Sequence, residues 1–181
     1  MAIKKLWYEI LAPAQFGEKP IGESLAAEPK QLIGRVVKLA LSDLGNEFQK
    51  FYIKLVLKVV DVEGTRAKTQ IVGHDCMYER IYRMVQRRAR RVDCIQDTKT
   101  KDGRKLRVKT VLIIPRRVGT SIKDSVRARL REVVDKEVSA LTFEEFINAI
   151  INDKIQQSVR AECKKIYPIG QVEVRKSELL A

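Results

Sequence analysis

The alternation of apolar and polar residues predicts β-strands in the first half of the chain. Apolar residues recur at every second position over residues 37–41 and again over residues 51–60. Residues 61–64, which end in a glycine, predict a reversal into a third strand over residues 67–72. Together the three segments predict an antiparallel meander.

A helical period replaces this alternation in the middle of the chain. Asp75 is the predicted N-cap of a helix over residues 76–89. One side of this helix collects apolar and aromatic residues that we expect to pack in the core, which are Met77, Tyr78, Ile81, Tyr82, Met84 and Val85. The opposite arc carries Arg80, Arg83, Arg87, Arg90 and Arg91. Arg88 falls within the apolar side, so either the helix ends near it or this arginine buries its stem and extends its head to water.

A hairpin is predicted after this helix. Extended segments over residues 92–96 and 105–114 flank a polar turn that contains Asp102 and Gly103. An Asp-Gly pair between strands is a hairpin signal, because glycine accepts the positive φ that a tight turn needs. Pro115 ends the second strand, since proline cannot donate to the strand ladder.

The C-terminal part predicts three helices and a final strand. The first helix covers residues 121–141, and residues 142–145 form a capping box that opens the next. Residues 152–153 break that helix before a further one that ends at Pro168. The valines within residues 172–174 indicate a last strand.

The N-terminal region differs in composition from the rest. Residues 12–31 hold three prolines and two glycines, which predicts an extended arm or a long loop. The predicted organisation is an α+β fold with an extended N-terminal arm over residues 1–33 and a single α+β domain over residues 34–181.

Charge adds a functional expectation to this fold. The chain has a net charge of +13, and residues 76–131 contain 18 Lys and Arg against five Asp and Glu, so this window holds the whole surplus. Solubility does not require such segregation, because mixed-sign surfaces repel themselves less. The window therefore predicts a polyanionic partner, with nucleic acid as the first candidate.

Folded RNA fits this distribution better than a DNA groove or a membrane surface. The basic residues are spread over helix, turn and strand, and folded RNA offers phosphates on several sides. The cations of the helix at 121–141 lie near its N-terminus, against its dipole, which favours an external anion there. The predicted RNA-binding residues of the 34–181 domain are Arg80, Arg83, Arg87, Arg88, Arg90, Arg91, Lys99, Lys101, Arg104, Lys105, Arg107, Lys109, Arg116, Arg117, Lys123, Arg127 and Arg129.

Catalytic chemistry is not indicated. The single histidine, His74, forms a lone H-x-C with Cys76, without the further ligands that zinc needs, and we expect a histidine in a turn before a helix cap. No phosphate-binding loop, dinucleotide turn or nucleophile elbow is present. We expect no catalytic residue, cofactor, metal, small-molecule substrate or membrane partner. Three widely spaced cysteines favour a reducing cytosol. A free-standing RNA-processing enzyme and a DNA-binding module remain the alternatives.

An ordered set of short motifs spans nearly the whole chain. It comprises Trp7-Tyr8, Ala12-Pro13-Ala14-x-Phe16, Ile21-Gly22, Leu32-x-Gly34-Arg35-Val36, Leu41-x-Asp43-Leu44, Asp61-Val62-x-Gly64, Asp75, Met84-Val85, Thr100-x-Asp102-Gly103, Ile166-Tyr167-Pro168 and Val174-Arg175-Lys176. In this order and spacing the set resembles the small-ribosomal-subunit proteins of archaea and eukaryotes called S-three-A-e, or eukaryotic-type S-one.

The resemblance implies both a role and a shape. It implies a structural component of the cytoplasmic ribosome on the small-subunit platform near the messenger exit. There it would contact ribosomal RNA toward its 3′ region and neighbouring platform proteins. It also implies a barrel-like antiparallel β-sheet flanked by helices. Eukaryotic members carry longer terminal extensions that this sequence does not show, so the resemblance is to the archaeal type.

Overall fold

The fold is α+β, as predicted. It is seen in a computed structural model that describes residues 5–44 and 50–180. Two compact units divide the chain, residues 1–73 and residues 74–181. The first holds strands β1 (Leu6–Leu11), β2 (Pro20–Ala26), β3 (Val36–Ala40), β4 (Ile53–Glu63) and most of β5 (Arg66–Cys76). The second holds α1 (Tyr78–Met84), β6 (Arg90–Lys99), β7 (Lys105–Ile114), α2 (Thr120–Ala140), α3 (Phe143–Ile151), α4 (Lys154–Lys164) and β8 (Val172–Leu179).

The strands of the first unit pair in the order β2-β1-β5-β4-β3. β1 is antiparallel to β2 and β3 is antiparallel to β4, whereas β1 and β5 form a short parallel pair. β2 and β3, the two end strands, do not pair with each other in the described residues, so this sheet is not closed into a barrel. Arg35, which directly precedes β3, instead donates hydrogen bonds from its side chain to two residues of β2. The acceptors are Ser24 Oγ at 2.7 Å and the Leu25 carbonyl at 3.1 Å.

Period-two alternation builds the core of the first unit. Along β4, every second residue from Ile53 to Val59 is buried, and the residues between them are partly or fully exposed. One cluster of buried side chains joins the strands of the unit: Tyr8, Ile10, Ala26, Leu32, Val59 and Ala67. Removing such side chains from water is the main favourable contribution to folding. The predicted meander of three strands corresponds to β3, β4 and β5.

The predicted arm contains two strands that the sequence pattern does not reveal. β1 and β2 lie within residues 1–33, joined by a short 3-10 helix at Ala14–Phe16. β2 begins at Pro20, includes Gly22 and leaves most of its residues exposed, so it lacks the alternation of a half-buried strand. The boundary between the compact units falls after Gly73. That residues 1–33 act as a separate arm stays a prediction.

A long antiparallel hairpin forms the centre of the second unit. β6 and β7 pair without interruption from Arg90 opposite Ile114 to Lys99 opposite Lys105, and β8 pairs with the other edge of β7. Gly103 has φ +75°, which confirms the predicted Asp-Gly turn. The predicted strand over residues 105–114 is confirmed.

The helices of the second unit cover one face of this sheet. α2 packs against β6 and α4, and it buries Val126, Leu130, Val134 and Val138. α3 begins with the predicted capping box, in which Thr142 accepts from the Glu145 amide and the Glu145 carboxylate accepts from the Thr142 amide. α4 starts after Asp153, as predicted, but ends at Lys164, ahead of Pro168.

The first helix is shorter than predicted and starts later. Asp75 is not its N-cap, because β5 continues to Cys76 and the helix begins at Tyr78. The helix ends at Met84, so it buries Ile81 and Met84 but not the aromatic residues assigned to the same side. The side chains of Tyr78 and Tyr82 are 55% and 71% exposed. The expectation that both tyrosines pack in the core is therefore wrong.

His74 is a buried strand residue and not the turn residue that the sequence indicated. It lies near the end of β5, 1% exposed, with Nδ1 2.6 Å from Ser177 Oγ and Nε2 2.9 Å from the Val174 carbonyl. Both partners belong to β8, so the ring fastens the end of β5 to the last strand. Burial lowers the pKa of His74 from 6.5 to about 4, which keeps the ring neutral at pH 7.

This buried ring predicts a loss of stability in mild acid. The folded pKa lies below the unfolded value, so the unfolded chain takes up the proton first and stability falls as pH drops from 6.5 toward 4. Between pH 7 and pH 5 we expect the free energy of unfolding in urea to fall by about 2 kcal/mol. In His74→Gln, which cannot titrate, the fall should largely disappear.

The comparison of wild type with His74→Gln isolates the contribution of the histidine to the pH dependence of stability. Burial raises the pKa of Glu173, so the folded state favours its protonated form. Glu173 therefore makes the fold more stable as pH drops, which is opposite to the effect of His74. It is present in both proteins and cancels. Equal pH dependence of wild type and His74→Gln would contradict the assignment.

Candidate nucleic-acid interface

The outer face of the hairpin is basic in sequence but is neutralised by neighbouring strands. Arg107 forms two hydrogen bonds to Asp97, directly opposite on β6, at 2.6 and 2.8 Å, and these lower the pKa of that carboxyl. Lys109 lies 3.3 Å from Glu178 on β8. These two predicted RNA-binding residues therefore have carboxylate partners within the fold.

Four further predicted residues also form ion pairs. Arg80 of α1 lies 3.6 Å from the buried Glu173, and Arg91 lies 2.7 Å from Asp93. On α2, Arg127 binds Asp124 at 2.7 Å, and Arg129 binds both Glu132 and Glu162. The expected external anion at the start of α2 is thus replaced, for Arg127 and Arg129, by carboxylates of the protein itself. Lys165 and Arg129 hold the pKa of Glu162 at about 2.

The other predicted residues keep their charge uncompensated. They form no ion pair within 4 Å to a carboxylate of the described chain, and all are exposed except the half-buried Lys123. These residues are Arg83, Arg87, Arg88, Arg90, Lys99, Lys101, Arg104, Lys105, Arg116, Arg117 and Lys123. Most of them lie at the two ends of the hairpin.

Four arginines meet at one end of the hairpin in what we call the arginine cleft. Arg87 and Arg88 come from the turn between α1 and β6, and Arg116 and Arg117 come from the turn between β7 and α2. The pairing of Arg90 with Ile114 brings these two turns side by side. With Pro115 the four residues line a cleft of about 500 Å³ that no carboxylate lines.

The backbone at Arg88 is held in an uncommon conformation. Its φ is +72°, in the left-handed region where a non-glycine residue costs roughly 1–2 kcal/mol. Glycine would adopt this φ without that cost. An arginine here favours a role for its side chain, since strained backbone concentrates at functional positions.

A second basic group lies at the turn of the hairpin. This group, the lysine turn, consists of Lys99, Lys101, Arg104 and Lys105. It is fixed to the helices, because Asp102 accepts from the Phe143 amide at 3.1 Å and the Lys101 amide donates to the Leu141 carbonyl at 3.0 Å. Along a ten-residue strand the lysine turn and the arginine cleft are about 30 Å apart.

Other kinds of site are not supported by the geometry. Burial raises the pKa of the Cys76 thiol to about 12, so this cysteine is not a thiolate nucleophile beside His74. Across residues 5–44 and 50–180, no three His, Cys, Asp or Glu side chains are placed to hold a metal ion. No helix in the described parts of the chain is long and apolar enough to cross a membrane.

Sequence reasoning missed one exposed aromatic group near this surface. The sequence pattern predicts Tyr78 and Tyr82 in the core and gives no sign of the contact with Arg175, whose guanidinium carbon lies 4.9 Å from the centre of the Tyr78 ring. The error came from assigning too wide an arc of the helix to the core, because Ile81 and Met84 lie close together on the helix whereas Tyr82 lies about 100° from Ile81. A helix of seven residues can bury only a narrow stripe.

Comparison with known proteins identifies the class: this α+β chain is a ribosomal protein. More specifically, it belongs to the Ribosomal S3Ae family, whose family model matches residues 2–181. The family resemblance inferred from the motifs is therefore confirmed. Family membership also confirms the prediction that this chain is a structural constituent of the cytoplasmic ribosome and not an enzyme.

Several relatives bear the name small ribosomal subunit protein eS1. One from Methanococcus vannielii is 35% identical over 97% of this chain and 80% of its own length. One from Desulfurococcus amylolyticus is 36% identical over 97% of this chain and 83% of its own length. One from Methanopyrus kandleri is 36% identical over 97% of this chain and 85% of its own length.

The arginine cleft predicts binding of a small polyphosphate. Inorganic tripolyphosphate should raise the thermal midpoint of the full chain at low salt, because a ligand that binds the folded state stabilises it. In Arg88→Gly the rise should be smaller. The midpoint without ligand should be unchanged or higher, because glycine removes the strain at φ +72°. Thermal unfolding followed by circular dichroism measures both effects.

Arg107→Gln is the matched control, because it removes an arginine that already has a carboxylate partner. It should keep the tripolyphosphate shift of the wild type. An Arg88→Gly protein that keeps the full shift, or a control that loses it equally, would contradict phosphate binding in the cleft.

Proposed function

We propose that this chain is a constituent of the small ribosomal subunit that binds ribosomal RNA through the arginine cleft and the lysine turn. The observation that carries the proposal is the cleft: four exposed arginines and no carboxylate. Relatives at 35–36% identity carry the name of a small-subunit protein, which supports the assignment to that subunit.

Electrostatics favours a polyanion in the cleft. Four guanidinium groups that line one cavity repel one another, and solvent ions screen this repulsion only in part. Phosphate groups remove it, and the planar guanidinium donates two parallel hydrogen bonds to a phosphate more readily than an ammonium can. When these arginines bind phosphates of RNA, counterions condensed on the RNA are released, which adds to the affinity.

The separation of the two basic groups favours a large, folded partner. The arginine cleft and the lysine turn lie at opposite ends of one continuously paired hairpin, about 30 Å apart. Between them, Arg107 and Lys109 are neutralised by Asp97 and Glu178. A partner that contacts both ends must present phosphates at two well-separated places, as a folded ribosomal RNA does.

The location on the subunit is the finer part of the proposal. Contact with the 3′ region of the ribosomal RNA and with neighbouring platform proteins, near the messenger exit, is supported by the family resemblance. The two-ended basic surface is compatible with this position, since it leaves the helical face of the second unit for protein neighbours.

Binding to structured ribosomal RNA should fall steeply with salt. If about six to ten phosphates are contacted, the slope of log affinity against log salt should be about −0.7 to −0.9 per contact. The double variant Arg116→Gln, Arg117→Gln should make this slope shallower by about 1.4 to 1.8, because two contacts are lost. Filter binding over a salt series with an RNA fragment measures the slope.

The double variant Arg91→Gln, Arg107→Gln controls for net charge. It removes two arginines as well, but each of these already has an aspartate partner. Its slope should stay close to that of the wild type. Identical slopes for all three proteins would exclude the arginine cleft from the RNA interface, and equal affinity for duplex DNA and ribosomal RNA would favour a DNA-binding module.

A further inference from the structure

The exposed side of α1 carries two tyrosines whose rings do not pack in the core. Tyr78 and Tyr82 are four residues apart, so they lie on the same side of the helix with their Cβ atoms about 5–6 Å apart. Their side chains are 55% and 71% exposed. In the part of the chain that the structure describes, neither ring stacks on another aromatic ring. Large exposed aromatic side chains at adjacent positions favour a binding role.

The charges around the tyrosines are mainly positive. Arg175 stands over Tyr78 with its guanidinium carbon 4.9 Å from the ring centre, and its Nη2 donates to the tyrosine oxygen at 2.9 Å. Arg83 follows Tyr82, is exposed and forms no ion pair with a described carboxylate. Glu79 adds one exposed carboxylate on the same helix, so the two arginines leave positive charge in excess around the tyrosines.

The two tyrosines are close to the arginine cleft along the chain. α1 ends at Met84, and Arg87 is the first residue of the cleft. Tyr82 and Arg87 are five residues apart, which limits their Cα separation to about 18 Å. One single-stranded segment can therefore reach the aromatic rings and the cleft at the same time.

We propose that Tyr78 and Tyr82 form a stacking platform for unpaired bases of ribosomal RNA, whose flanking phosphates enter the arginine cleft. This inference rests on the proposed function. Exposed aromatic rings beside arginines are the standard means by which proteins hold single-stranded nucleic acid, because every base has a flat face that can stack. The positive surroundings favour RNA over an apolar protein segment, which would gain nothing from Arg83 and the cleft.

The test compares two single strands that differ only in their bases. One is a short unstructured RNA with a single 2-aminopurine, and the other has the same length and charge but abasic positions. The full chain should bind the base-bearing strand more tightly and quench the 2-aminopurine. In Tyr82→Ala, affinity for the base-bearing strand should fall roughly 5- to 150-fold, the range expected for one lost stacked base, and the quenching should disappear.

Three further measurements make the result specific. Tyr82→Phe, which keeps the aromatic ring, should retain affinity and quenching. Tyr82→Ala should bind the abasic strand as tightly as the wild type does. Trp7→Ala, which removes an aromatic side chain of similar exposure in the first unit, should behave as wild type with both strands.

The outcomes separate this inference from the proposed function. Salt-dependent binding of both strands with no effect of Tyr82→Ala would overturn the platform and leave ribosomal RNA binding intact. An equal loss for both strands, or the same loss in Trp7→Ala, would also overturn it. If Tyr82→Ala binds RNA normally but assembles poorly into small subunits, the tyrosines contact a protein. No binding of the wild type to either strand or to ribosomal RNA would reject the proposed function itself.

Discussion

The pairing register of β6 with β7 is the constraint on which the candidate interface depends. Ten consecutive residue pairs fix Arg90 opposite Ile114 and Lys99 opposite Lys105. The first pair brings the turns that carry Arg87, Arg88, Arg116 and Arg117 together, and the last pair forms the lysine turn. A register shift of one residue would also turn every side chain of a strand to the opposite face. One ladder of backbone hydrogen bonds thus determines where the positive charge gathers.

The same register explains why the basic side chains in the middle of the hairpin are neutralised by carboxylates. It places Asp97 opposite Arg107, and β8 brings Glu178 beside Lys109. The helices neutralise further cations in the same way, as with Arg129 between Glu132 and Glu162. Exposed ion pairs of this kind add little stability, typically under 1 kcal/mol. Their effect here is to confine the uncompensated charge to the ends of the hairpin.

Much of the second unit follows from local sequence signals. The strand over residues 105–114, its Asp-Gly turn and the capping box at Thr142 are set by alternation, glycine conformation and side-chain capping, all of which act over a few residues. The length of α1 depends on a distant contact, because β5 continues past His74 to pair with β8. No local pattern predicts that contact, and so the prediction of Asp75 as the N-cap was wrong. β2 was not predicted either, because most of its residues are exposed and its sequence therefore shows no alternation of apolar and polar residues.

The roles of the basic residues also depend on contacts between residues far apart in the sequence. Their number and their concentration in one window could be read from the sequence, and family motifs led to the correct family. The sequence could not separate Arg107 from Arg117, because pairing with a carboxylate is decided by cross-strand neighbours. Only the fold distinguishes a neutralised arginine from one that lines the cleft.

The central claim is that the arginine cleft is covered by RNA phosphates in the ribosome, and arginine-selective modification by phenylglyoxal tests it most directly. The account predicts that Arg87, Arg88, Arg116 and Arg117 react in the isolated chain, are protected in intact small subunits, and react again after ribonuclease digestion. If these four arginines react equally in the isolated chain and in intact subunits, the account is contradicted.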